Sequence, residues 1–169
     1  MNKLNQFEVA YLAGIVDGEG CISINKAKPR GRSKNPCHVL RITIANTNRD
    51  LINWLAIKMG GCSRKSSRAK YPANWKDSWQ WHIEGFPAME LLCLVEPHLI
   101  IKKAQAIIAI EFQKKKSISN GKVLPEEEVF LRDGFRNRLM NLNKKGKVIS
   151  SVVSLDNVST STPLVTEMK

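Results

Sequence analysis

An α+β fold is predicted by three features of this sequence. A short amphipathic helix hands over to a strand with almost no linker, and two pairs of alternating apolar and polar runs follow. A helical segment comes after each pair. The resulting order is αββαββα, with an antiparallel sheet and a helical C-terminal extension. One domain over residues 1–145 is expected, its core about 5–115 and its extension about 116–145, followed by a Ser, Thr and Val-rich tail over 146–169.

The elements follow in chain order. Asn5 and Glu8 stand at N-cap and N3 spacing, a capping box that starts the first helix. Leu12, Ile15 and Val16 give it an apolar face, while Ala10, Ala13, Gly14 and Gly18 are small enough to admit a second backbone closely. Gly18 and Gly20 are expected to stop it by supplying backbone angles that a helix end needs. From Cys21 to Lys28, Ile22 and Ile24 alternate with Ser23 and Asn25, as on a half-buried strand. A basic, breaker-rich loop leads to a second strand, about His38 to Asn48, with Leu40, Ile42 and Ile44 inward and Arg41, Thr43 and Thr47 outward. Arg49 to Met59 reads as a helix with Leu51, Trp54, Leu55 and Ile57 or Lys58 at turn spacing, stopped by Gly60-Gly61.

The strand pattern then repeats. Cys62 to Tyr71 is a basic strand, Pro72-Ala73-Asn74 a turn, and Trp75 to Glu84 a second alternating run. Trp79, Trp81 and Ile83 are assigned to the core rather than to base stacking, with Ser78, Gln80 and His82 on the other face. A helix after Gly85-Phe86-Pro87 ends before Pro97, another runs from Ile101 to Lys115, and Pro125 to Asn143 carries one or two more. The tail has no helical period, and both disorder and an extended course along the body are compatible with it.

Composition narrows the partners. The chain has 169 residues, a net charge of +12 and a pI near 9.8, which points to a polyanion. Between Lys26 and Lys70 lie twelve Lys or Arg and one acid, Asp50, so nearly the whole surplus sits on predicted strands and turns. A membrane-surface role would place it on an amphipathic helix or tail, and no apolar run is long enough to span a bilayer. Cys21, Cys37, Cys62 and Cys93 form no C-x-x-C pair and read as reduced thiols of an intracellular protein. His38, His82 and His98 are too dispersed for zinc.

Asp17 and Glu19 stand out. A helix C-terminus already carries partial negative charge, so two acids there call for a cation. A hard divalent ion held by one or two carboxylates, with water and substrate phosphates, fits that need. The alternative is a solvated, glycine-rich helix end. The surrounding residues, Leu12-Ala13-Gly14-Ile15-Val16-Asp17-Gly18-Glu19-Gly20, resemble the LAGLIDADG motif of homing endonucleases. Leu, Ala, Gly, the first Asp and the last Gly match by identity, and Gly18 replaces the motif's Ala. The αββαββα order matches that family's core over roughly residues 5–115.

The resemblance implies a sequence-specific DNA endonuclease that uses Mg²⁺, with Mn²⁺ or Ca²⁺ able to occupy the site. It makes Glu19 the metal ligand, with the Gly18 carbonyl beside it. Asp17 then stabilises the helix end or a dimer contact, a direct metal role remaining open. By alignment Lys102 falls where the family has a lysine near the scissile phosphate, and Asn48 where it has a polar residue that positions water. A plain surface lysine is the alternative for Lys102. The basic residue that usually follows Asn48 is not matched, leaving Arg49 or Arg64 to substitute. Most members carry Asp where Glu19 stands, which shifts the expected metal position by one methylene.

One motif copy gives one active site per chain and cutting both strands needs two, so the resemblance to single-motif members implies a homodimer on a near-palindromic site. The contact is expected along Leu12, Ala13, Gly14, Val16 and Asp17. Base-contact candidates on the polar strand face are Ser23, Asn25, Arg41, Thr43, Gln80 and His82, with Lys28, Arg30, Arg32, Arg64, Lys65, Arg68 and Lys70 reaching bases or phosphates. A strand of about ten residues spans roughly 33 Å, near ten base pairs, or one half-site. The competing reading is a non-cleaving binder on the same fold, an intron RNA maturase or a transcription regulator. Such proteins tend to lose the motif acids, and both are present here.

Overall fold

The computed structural model describes residues 4–29, 35–66, 76–117 and 123–144. The elements are α1 (Gln6–Glu19), β1 (Gly20–Ala27), β2 (Cys37–Asn46), α2 (Arg49–Met59), β3 (Cys62–Lys65), β4 (Trp79–Glu84), α3 (Gly85–Val95), a 3-10 turn (Glu96–His98), α4 (Lys103–Lys115) and α5 (Glu126–Leu142). The expected αββαββα order holds, and among the described residues the C-terminal extension carries one helix, α5. The predicted turn at 72–74 and the tail over 146–169 lie outside the described residues.

The four strands form one antiparallel sheet in the order β1-β2-β4-β3. Alternation decides its two faces. Ile22, Ile24, Leu40, Ile42, Ile44, Trp81 and Ile83 are buried beneath the helices, while Ser23, Asn25, Arg41, Thr43, Gln80 and His82 remain half-buried on the open face. Trp81 is a core residue, as expected: it is wholly buried and its Nε1 donates to the Gly60 carbonyl at 2.7 Å. Gly60 and Gly61 adopt φ of 73° and 80°, and this left-handed pair stops α2. That helix buries Ile52, Leu55 and Met59; of the predicted stripe Leu51 and Trp54 are half-buried, Leu55 is buried and Ile57 is exposed.

The capping box at α1 is present, with Asn5 Oδ1 accepting from Glu8 N at 2.9 Å and Glu8 Oε2 accepting from Asn5 N at 3.0 Å. The helix end differs from expectation. Gly18 is still helical, and Gly20 has φ −76° and ψ 143°, angles that any residue adopts. Gly20 is needed for space: an added Cβ would lie 2.4 Å from the Val16 carbonyl oxygen. Gly20→Ala is therefore expected to destabilise the fold by about 2 kcal/mol or more, measured by denaturant unfolding.

Helix α4 starts at Lys103, two residues later than predicted, because the backbone of residues 100–102 is held by Asp17. Helix α5 joins the common core through Phe135 and Leu139, with Phe135 edge-on to Phe112 at 6.0 Å. It also tends the outer strand. Asp133 pairs with Lys26 at 2.7 Å and buried His38 at 2.9 Å, and Asn143 Nδ2 donates to the Ile22 carbonyl at 2.9 Å. An otherwise unpaired strand edge is thereby covered.

Candidate functional site

The two motif acids have different surroundings. Asp17 Oδ2 accepts from Ile100 N at 2.7 Å and Ile101 N at 3.2 Å, and Oδ1 accepts from Lys102 N at 2.9 Å. Lys102 Nζ donates to the Asp17 carbonyl. Partial burial opposes ionisation of Asp17, but these three N–H donors, with help from the Lys102 charge, outweigh it and hold the carboxyl below its ordinary 3.8. The sign follows: this stabilisation is present above the unfolded-state value and is lost as pH falls through the lowered folded-state one. Asp17→Ala is expected to destabilise the chain by about 2 kcal/mol at pH 7 and progressively less in acid, read from melts across pH.

Glu19 ends α1 with its side chain exposed, and no hydrogen bond or ion pair engages its carboxylate among the described residues. No group of three or more His, Cys, Asp or Glu able to hold a metal occurs among those residues either. A free carboxylate at a helix end, beside carbonyls that a terminating helix leaves open, is nevertheless a donor set suited to a hard cation completed by water and phosphate oxygens.

Helix α2 lies antiparallel beside α1, because Glu8 pairs with Lys58 at 2.6 Å while Tyr11 meets Trp54 edge-on at 5.5 Å. Its first turn, at Asp50 and Leu51, lines a groove together with Phe7 and Tyr11 of α1. Asn48 Oδ1 caps that turn, accepting from Asp50 N and Leu51 N at 2.9 and 3.2 Å. Asn46 is a polar group at this junction that the sequence reading does not single out. Its Oδ1 accepts from Asn48 N at 2.8 Å, and it lies two residues past Ile44, the partner of Gly20. Strand parity, which puts residue 46 on the same side as Ile42 and Ile44, is the signal that could have found it.

Of the residues expected at the dimer contact, Leu12, Ala13 and Val16 are buried in the chain's own core. Alternation of the helix leaves Phe7, Ala10, Tyr11, Gly14 and Gly18 on the open side. Phe7 is 76% and Tyr11 58% exposed, and nothing lies within 4 Å of an added Cβ at Gly14 or Gly18. Beside this stripe a groove of about 530 Å³ runs between Phe7, Tyr11, Leu51 and Trp54. Ile100 and Ile101, whose backbone N–H groups bind Asp17, are 88% and 70% exposed.

On the open sheet face, register sets side chains in rows. Cys21, Thr43, His82 and Cys62 make one row, Ser23, Arg41 and Glu84 the next, and Gln80 stands opposite Arg64, with bonds of 2.9 and 3.3 Å. Ser23 Oγ donates to Asn25 Oδ1 and to the Arg41 carbonyl, both at 3.4 Å. Lys65 falls on the helix side, opposite Trp79, and pairs with Asp77 at 2.8 Å. Lys28 is exposed just beyond β1, while Arg30, Arg32, Arg68 and Lys70 lie outside the described residues. No helix among the described residues is long and apolar enough to cross a membrane.

Several solved structures share this fold. The chain is similar to the homing endonuclease I-CvuI in complex with the I-CreI target, at 19% identity and a TM-score of 0.66 over 84% of this chain and 85% of that one. It is similar to the archaeal intron-encoded homing endonuclease I-Vdi141I complexed with DNA, at 18% identity and 0.65 over 86% and 89%. The meganuclease I-SmaMI bound to uncleavable DNA matches at 17% identity and 0.63 over 83% of this chain but 47% of that one. No family model and no curated protein matches the sequence. At these identities the likeness is one of fold.

Proposed function

We propose that this protein is a homodimeric, Mg²⁺-dependent endonuclease that makes a double-strand break in a long, near-palindromic DNA site. The observation that carries the reading is the free Glu19 carboxylate at the end of α1, placed where the helix meets a strand of a cationic sheet. The DNA complexes of fold relatives, including I-CvuI in the presence of Mg or Ca, support DNA as the partner and a divalent ion as the cofactor. The chain spans about half of I-SmaMI, which supports one unit per chain and two units per site.

Each residue then has a separate task. Glu19, with the Gly18 carbonyl, would hold the ion; when bound, Mg²⁺ supplies activation of water and neutralisation of charge on the leaving oxygen. Asp17 anchors residues 100–102 and thereby sets Lys102 at the same helix end. The Lys102 ammonium adds positive potential where phosphate charge develops. Asn46 and Asn48 offer amides that orient water. Ser23, Asn25, Arg41, Thr43, Gln80 and His82 face base edges, with Lys28 and Arg64 serving phosphates or bases. Phe7, Tyr11, Gly14 and Gly18 meet their counterparts across the twofold axis, with Ile100 and Ile101 at its edge.

The test is incubation of the purified protein with a pooled plasmid target library and Mg²⁺. Cutting of a discrete, near-palindromic site is expected. Tight, specific DNA binding without cutting in Mg²⁺ or Mn²⁺ would overturn the nuclease in favour of a binder. Absence of specific DNA binding would overturn DNA as the partner and direct attention to intron RNA.

A further inference from the structure

Glu84 is an anomaly on the open sheet face. Among the described residues of the four strands it is the one acid pointing to that side, opposite Arg41, one row from His82 and on the face that also carries Arg64. A carboxylate there repels a polyanion. Its ion pair with Arg41 is too exposed, with side chains 35% and 38% accessible, to be explained by stability, since such pairs contribute about 0–1 kcal/mol.

The geometry suggests what the pair is for. Arg41 Nε donates to Glu84 Oε1 at 2.5 Å, and Nη2 meets the same oxygen. The guanidinium is therefore gripped along one side, while its far end keeps donors on both Nη1 and Nη2. Glu84 Oε2 has no partner among the described residues and remains an acceptor. Ser23, on the neighbouring strand of the same row, bonds the Arg41 backbone. A planar donor fork held side by side with a fixed acceptor is thus presented to whatever docks on the sheet.

In the major groove, guanine offers two adjacent acceptors, O6 and N7, and cytosine offers the N4 donor. The fork matches guanine, and the free carboxylate oxygen matches cytosine N4 while repelling the carbonyl oxygens of thymine and guanine. We infer that the Arg41–Glu84 pair is a specificity element that selects a G·C pair in each half-site, with Glu84 both positioning Arg41 and rejecting other bases. This rests on the DNA-recognition reading above. It assigns Glu84 a role distinct from the basic residues around it, which would gain from the acid's removal.

The experiment is a binding selection on randomised DNA with the full-length protein, comparing unmutated protein, Glu84→Gln and Arg41→Lys. Thermal melts verify that each variant folds. The unmutated protein is expected to enrich G·C at one position, mirrored in both half-sites. Glu84→Gln should lose that preference by roughly tenfold while other positions stay as they were. Arg41→Lys, which keeps the charge but lacks the fork, should lose it at the same position. An unchanged profile in both variants, or a uniform rise in affinity across all sequences in Glu84→Gln, overturns the inference and leaves the endonuclease reading intact. No preferred site in the unmutated protein overturns the reading itself, and this inference with it.

Discussion

Glu19→Gln is expected to lower strand cleavage by about 10³-fold while specific DNA binding persists. Gln keeps the size and polarity of the side chain but removes the negative charge that a divalent ion requires. The side chain is exposed and makes no hydrogen bond or ion pair among the described residues, so folding has little to lose. A cleavage assay in Mg²⁺, a gel shift in Ca²⁺ and a thermal melt together separate chemistry from binding and stability. Cleavage within tenfold of the unmutated protein would sink the assignment of Glu19 as the metal ligand.

Gly14→Leu is expected to break the proposed dimer without harming the protomer. An added Cβ at Gly14 meets nothing within 4 Å inside the chain, and replacing a helical glycine removes up to about 1 kcal/mol of backbone entropy cost. Across a close helix pair, however, the same side chain would force the two backbones apart. Dimer affinity should fall thirtyfold or more, seen as a monomer in sedimentation velocity, and double-strand cutting should fall with it. A variant that remains dimeric at the same concentration would show that the copies meet elsewhere.

The fold was legible because its signals are local. The capping pair Asn5 and Glu8, the alternation of Ile22 to Asn25 and of Leu40 to Ile44, and the Gly60-Gly61 stop each act over a few residues. The site was legible only in part, because its organisation is long-range. Nothing local indicates that Asp17 reaches residues 100–102, and for that reason α4 was expected to begin too early. Periodicity gave α1 an apolar face, but not which small residues the core would absorb. Ala13 went inward while Ala10, Gly14 and Gly18 stayed open. Glu84 sat in a strand as an ordinary polar residue until register brought Arg41 opposite it.

The absence of a loop between α1 and β1 has a mechanical corollary. Glu19 is the last helical residue and Gly20 the first of the strand, with Gly20 pressed against Val16. Helix end and strand are therefore one rigid piece, and under the proposed function β1 would work as a ruler whose zero mark is the Glu19 carboxylate. At about 3.3 Å per residue, the Ser23–Arg41–Glu84 row stands roughly 10 Å from Gly20, which in the proposed endonuclease fixes the offset between the base read and the strand cut. A single residue inserted at this junction would do more than shift the scale. It would turn every side chain of β1 to the opposite face, sending Ser23 and Asn25 into the core and Ile22 and Ile24 toward the DNA.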